Sequence, residues 1–203
     1  SYVTNPLGHG FGLTSSADYN AVSQSTISVN ASSPFALSII NADFNTVTGC
    51  LVLNPLGIAA RIATGADFNV ISMSTITSNS TVWPSLLVTV SSSNTFLNSY
   101  IQGSEAVHVN GSTGTVFGGT VFVATNTVGD ALQMDGGSVN LTVTTSTLKA
   151  GPLGAGMYLF ANNSGLIALT SNTVVGGSKG LSITTMACGA CDGNISITSM
   201  TFA

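Results

Sequence analysis

Three Ala-Asp-aromatic-Asn pieces recur at residues 17–20, 42–45 and 66–69, and each carries one carboxylate: Asp18, Asp43 and Asp67. Carboxylates brought close together share protons, capture a cation such as calcium, or point apart into solvent. The three therefore form a candidate cation ladder, with calcium the expected occupant and no other cofactor implied. Turn aspartates also cap backbone N–H groups, which is the plainer expectation for repeated residues of this kind. Arg61 falls between Asp43 and Asp67 and is expected to pair with a neighbouring Asp at the surface. His9 and His108 lie far apart in the chain and are expected to be ordinary strand or turn residues. The sequence holds no nucleophile elbow, phosphate loop or metal-spaced histidine pair.

Cys188-Gly-Ala-Cys191 is a Cys-x-x-Cys in a Gly-rich turn. In an all-β repeat it predicts a local disulfide that pins the last turn, and two ligands are too few for zinc. Cys50 is then left over, as a buried thiol or a link to another subunit. Six N-glycosylation sequons begin at Asn30, Asn79, Asn110, Asn140, Asn162 and Asn194. Asn30, Asn79, Asn110 and Asn162 are expected at one turn of different coils, where glycans would hydrate one edge of the molecule.

Such hydration would matter because only 5% of the 203 residues are charged and the net charge is −4. An ordinary domain carries about a quarter charged residues, and net charge is the usual guard against association. The surface must be Ser, Thr, Asn and Gly. Arg61, Lys149 and Lys179 are the only cations, too few for a nucleic-acid footprint. Mean hydropathy is +0.48, yet polar residues interrupt every apolar piece before a membrane-spanning length is reached. The chain is thus not expected to span a membrane. Its first residues lack the charged and apolar regions of a signal peptide, so in a secreted protein Ser1 would be a processed end.

The elements that position these groups are short, β-branched and alternating, as in residues 141–148 and 195–202, and Gly, Asn, Ser and Pro punctuate them every few residues. Apolar pieces ending in Asn recur about every 25 residues: Tyr2-Val3-Thr4-Asn5, Ile27-Ser28-Val29-Asn30, Leu51-Val52-Leu53-Asn54 and Ile76-Thr77-Ser78-Asn79. A second marker follows at Asn20, Asn45, Asn69 and Asn94, then Asn126, Ser146, Asn172 and Met200. A period of this size signals a stacked solenoid. The fold expected is all-β, one parallel β-helix domain over residues 1–203, with about eight coils forming a rod on the order of 40 Å long. Val22, Val47, Ile71, Phe96, Val128, Leu148, Val174 and Phe202 are expected to stack inward. The 31-residue interval from Asn79 to Asn110 predicts a small loop insertion within residues 97–105.

The hxhN pieces and the Ser/Thr-Asn-Thr-Val/Phe pieces at Ser93, Thr125 and Ser171 resemble coils of the right-handed parallel β-helix superfamily that includes pectate lyases, phage tailspikes and surface adhesins. That superfamily hosts enzymes and structural proteins alike. Its polygalacturonases place clustered aspartates on neighbouring coils as acid and base, but their Asn-Thr-Asp and Arg-Ile-Lys pieces are missing, and Gly8-His9-Gly10 matches their Gly-His-Gly only superficially. Its pectate lyases set a calcium-binding acidic cluster beside a basic residue, for which Arg61 is the one candidate among the three Asp residues. The first and last coils carry no visible cap, which predicts head-to-tail stacking of subunits into an extracellular or cell-surface filament rather than an enzyme. A carbohydrate-binding or carbohydrate-cleaving solenoid, with a groove lined by the aspartates and Tyr19, Phe44 and Phe68, is the alternative. An ice-binding solenoid, suggested by Thr142, Thr144, Thr145 and Thr147, comes third.

Overall fold

The computed structural model describes residues 1–33, 35–160, 162–184 and 194–203, so Cys188 and Cys191 lie outside the described residues. Each coil contributes three short strands, and every strand pairs in parallel with its equivalents in the coils on either side. The first sheet has nine strands, beginning with Tyr2–Asn5; the second has eight, beginning with Phe11–Thr14; the third has eight, beginning with Ala21–Ser23. The described residues contain no helix long and apolar enough to cross a membrane. The molecule is a parallel β-solenoid of about eight coils, as the repeat predicts.

Alternation explains the interior. Strand residues point to opposite faces in turn, so an apolar residue at every second position fills the coil while its neighbour faces water. In the first sheet Ile27, Val52, Ile76, Ile101, Phe122, Leu148 and Val174 stack in register and are buried. In the third sheet the file runs Val22, Val47, Ile71, Phe96, Phe117, Val143 and Leu169. The expected inward stack therefore holds through Phe96 and then slips. Leu148, Val174 and Phe202 belong to the first sheet, and Val128 is 63% exposed on a connecting arc. A Ser/Asn-Thr-apolar piece precedes strands of both sheets, so the motif alone cannot say which wall it enters.

The corners satisfy themselves with buried amides and hydroxyls. Asn45 donates to Asn69 Oδ1 from its backbone (2.9 Å) and its side chain (3.1 Å). Asn69 does the same to Asn94 Oδ1, at 2.9 and 3.2 Å. At the corner entering the first sheet, Cys50, Ser74, Thr120 and Ser146 each donate a backbone N–H to the side chain of the next coil, Ser74, Ser99, Ser146 and Asn172 respectively. The second sequence marker is thus two ladders, one of Asn20, Asn45, Asn69 and Asn94, the other holding Ser146 and Asn172. Asn126 is in neither, because it sits on an outer arc.

One coil departs from the common length, and it is shortened rather than enlarged. Tyr100 pairs with Val121, Leu86 with Val107 and Thr95 with Val116, each only 21 positions on, whereas Thr75 to Tyr100 takes 25 and Val121 to Thr147 takes 26. Residues 97–105 form no inserted loop: Thr95–Leu97 and Tyr100–Gly103 are both strands in the sheets. The 31-residue interval misled because Asn79 follows a strand of the first sheet and Asn110 ends a strand of the second. The residues lost come from the arc between first and second sheets, which spans 104–106 here but 78–85 in the coil before and 125–131 in the coil after.

Replacing Asn69 with Ala orphans the Asn45 donors and the Ala42 carbonyl that its amide serves. A buried polar group left unpaired costs about 1–3 kcal/mol. Asn69→Ala is expected to lose at least about 2 kcal/mol on that basis, read as a lower urea midpoint with an unchanged m-value.

Candidate functional site

The three aspartates expected to hold a cation do stand in a file, and each spends an oxygen on the next coil. Asp18 Oδ1 accepts the Asp43 N–H at 2.7 Å, Asp43 Oδ1 the Asp67 N–H at 2.8 Å, and Asp67 Oδ1 the Ser92 N–H at 2.6 Å. This is the capping role, and among the described residues no group of three or more His, Cys, Asp or Glu side chains is placed to hold a metal ion. Beside them Tyr19, Phe44 and Phe68 stack with ring centroids 5.0 Å apart and planes within 4°. Their faces are turned to one another, so they brace the corner rather than offer a platform.

Arg61 is not on that corner. It lies in the second-sheet strand Ala60–Ala63, facing outward, with Cζ 5.1 Å from the Phe35 ring centroid, and its buried Nε has no hydrogen-bond partner. The expected pairing with Asp43 or Asp67 does not form, because those carboxylates sit past the end of its strand. Arg61 instead heads an outward column of the second sheet that continues in register through Leu87, His108, Gln133 and Tyr158. The parallel column carries Thr89, Asn110 and Asp135.

Here the structure brings together residues that sequence reasoning missed. His108 Nε2 lies 2.9 Å from Asp135 Oδ1, and its Nδ1 lies 4.0 Å from Glu105 Oε2. Gln133 Nε2 donates to Asp135 Oδ2 at 2.9 Å, and Asn110 Nδ2 to Asp135 Oδ1. Burial raises the Asp135 carboxyl, but the His108 hydrogen bond and charge, with the Gln133 and Asn110 donors, outweigh it and hold the net value below the ordinary one. An ionised carboxylate only accepts, so Nε2 carries the histidine proton and Nδ1 keeps its lone pair.

Glu105 is shaped by the short coil. With only residues 104–106 in its arc, the longer arcs on either side close over it: Asn126 Nδ2 reaches across to donate to Thr81 O at 3.2 Å, and Gly129 packs on the Ser104 carbonyl too tightly for a side chain. Burial, then the charges of Asp130 and Asp135, push the Glu105 carboxyl up to about 8. Its buried Oε1 has no partner. At neutral pH the site therefore holds a protonated acid, a neutral imidazole with a free lone pair and an ionised carboxylate within one patch, an arrangement made for proton transfer. The sequence signal was available in Glu105-x-x-His108 followed 27 positions later by Asp135, about one coil on, but it shows only once the register is known.

The same face extends past the cluster. Asp130, which burial pushes up against the opposing pull of the Ala155 N–H and Lys179, shares a cleft of about 150 Å³ with Tyr158, Lys179 and Ser182. Two of the three cations, Arg61 and Lys179, thus flank His108 on one sheet. The sequons do not share an edge: Asn30 and Asn79 are exposed after first-sheet strands, Asn162 is exposed after a second-sheet strand, and Asn140 is exposed within a third-sheet strand. Asn110 belongs to the cluster, its amide nitrogen engaged with Asp135. Asn194 begins the strand Asn194–Thr198. Cys50 is a buried free thiol whose Sγ donates to Val22 O and Thr48 O.

No protein-family model matches the chain, and no curated protein matches it in sequence. Among solved structures it is similar to the A-module of the mannuronan C-5 epimerase AlgE6 of Azotobacter vinelandii, with TM-score 0.68 and 14% identity over 100% of this chain and 57% of that one. It is also similar to the periplasmic alginate epimerase AlgG, with TM-score 0.57 and 14% identity over 96% of this chain and 50% of that one. The chain spans about half the length of these two neighbours, and at this identity the likeness is one of fold.

The Glu105 carboxyl gives the folded state a pH signature. The unfolded chain releases this proton near 4.5 and the folded chain near 8, so between those values the folded state binds more protons and stability falls as pH rises. Asp130 is shifted the same way. Thermal melts from pH 5 to 9 are expected to show a falling Tm in the parent chain and a flatter profile in Glu105→Gln.

Proposed function

We propose that this solenoid acts on a carboxylated polysaccharide lying along the outer face of its second sheet, with His108 as the group that moves the proton. The observation that carries this is the ring of His108 held between an ionised carboxylate at Nε2 and a buried, protonated one near Nδ1, on a face flanked by Arg61 and Lys179.

A uronic acid ring has a carbon-bound hydrogen next to its carboxyl group, and removing it requires a base near neutral pH together with stabilisation of the charge that develops on the acid. Nδ1 of His108 supplies the base. Asp135 holds the ring in the matching tautomer and stabilises the imidazolium formed. Glu105, neutral below about pH 8, donates a hydrogen bond or a proton. Returning a proton to the carbon would epimerise it, and expelling the neighbouring glycosidic oxygen would cleave the chain; both begin with the same transfer. The two structural neighbours are named as an epimerase of mannuronan and one of alginate, which supports a polysaccharide substrate. The name of the second places it in the periplasm, and an extracellular or periplasmic location suits a polymer too large to enter a cell.

The filament subunit expected first from the sequence draws no support from either likeness, and the polysaccharide reading replaces it. Ice binding is weaker still, since Thr142 pairs with Val116 and Ala168, and Thr144 with Gly118, so no regular threonine grid forms.

Solvent-deuterium incorporation at ring carbons, followed by NMR on polymannuronate, polyguluronate and polygalacturonate, reads epimerisation and elimination together. Incorporation is expected for at least one polymer, with His108→Asn slowing it about 100-fold or more, the range for losing a general base. The rate is expected to fall above about pH 8 as Glu105 ionises. A folded chain that exchanges no deuterium with any of the three would refute the enzyme.

A further inference from the structure

Next to His108 the second sheet carries a cleft of about 250 Å³ with two unlike walls. Ile58, Trp83, Pro84 and Leu87 form one; Thr89, His108 and Asn110 form the other. Trp83 is 48% exposed, although it is the sole tryptophan of the chain and has the largest apolar surface to bury. It is held there by design of the loop: Ser80 Oγ accepts the N–H groups of both Val82 and Trp83, and Thr81 O is tied to Asn126 across the short coil. The indole is thus a fixed wall beside the proton-transfer group rather than a loose surface side chain.

A pyranose ring has the same two-sidedness, an apolar face of C–H bonds and a rim of hydroxyls. Indole faces take up the first, and side chains such as Thr89 and Asn110 the second. The volume is below the roughly 300–1,000 Å³ of pockets for drug-sized ligands, which suits a single ring. Arg61 adds an independent observation. It pairs in register with Leu87 of the cleft, one rung of about 4.8 Å away, and its buried Nε lacks a partner. Leu87 in turn pairs with His108. The cleft therefore has a cation on one side and the base on the other.

Resting on the carboxylated-glycan reading above, we infer that this cleft is the subsite of a single uronic acid ring, its apolar face on Trp83, its carboxylate toward Arg61 and its reacting C–H toward His108. Trp83 and Arg61 are then positioning residues that select which sugar of the polymer meets the base. Lys179, three rungs beyond His108, lies outside this subsite and contacts a different part of the chain of sugars.

The single tryptophan makes binding directly observable. The full-length chain and its His108→Asn variant are titrated with an oligomannuronate of defined length, with a neutral cello-oligosaccharide as control, while the Trp83 emission is followed. A saturable change is expected with the anionic oligomer in both proteins, and loss of at least tenfold in affinity in Arg61→Gln with little change toward the neutral oligomer. For turnover, Trp83→Ala is expected to raise KM at least tenfold, and Trp83→Phe to restore most of it while Tm stays near that of the parent. Turnover without any Trp83 response would overturn the subsite and leave the enzyme standing. A saturable Trp83 response without turnover on any polymer would support the subsite and remove the enzyme. Neither response would overturn both.

Discussion

Parallel, in-register pairing between each coil and the next governs the rest of this molecule. Backbone groups that cannot be satisfied within a coil must find partners one coil away, so strands of the same sheet are bound to repeat at the same place along the wall. Alternation then sorts side chains into an apolar file inside and a free file outside. Corners, where the chain turns and backbone groups would be stranded, are closed by asparagine and serine side chains that reach to the neighbouring coil. Polar residues are therefore buried throughout, and nearly charge-free sequences such as this one can build a core without ionic cost.

The site arises where that regularity is relaxed. The sheets tolerate a short arc because pairing involves strands alone, and arcs may differ in reach without disturbing register. When one arc shrinks between two long ones, its residues end up beneath its neighbours. Glu105 is buried for this reason and not because its own strand is apolar, and its raised proton affinity follows from the burial. The long arc before it supplies Trp83 and the strand after it supplies Asp135. Three successive coils thus contribute one cluster, which no single repeat contains.

Architecture was legible in the sequence because a period of about 25 residues and strict alternation leave few other solutions. Val22, Val47, Ile71 and Phe96 could be stacked correctly since the first coils are alike in length and every corner marker is Asn. After Phe96 the coil shortens, the marker becomes Thr115 or Ser112 and the piece around Asn126 imitates it from another arc, so register was lost there. The chemistry went unseen for the same reason. Asp18, Asp43 and Asp67 advertise themselves by repetition, which is the mark of a structural role in a solenoid; Glu105, His108 and Asp135 occur once each, and only the correct register makes them neighbours.

The asparagine file has an end, and its position matters for how the rod would come apart. Asn94 turns its amide back to Ala66 O and Ser91 rather than onward, and in the next coil Thr115 Oγ1 is buried without a partner. Side-chain cross-links at this corner therefore stop at the boundary of the short coil, where the stacked Phe96 and Phe117 rings supply apolar contact in their place. In a linear stack, stability is a sum of nearest-neighbour terms, so a weaker junction divides the rod into two cooperative blocks. That seam runs directly under the patch holding His108, leaving this patch the region freest to breathe while the blocks on either side stay rigid.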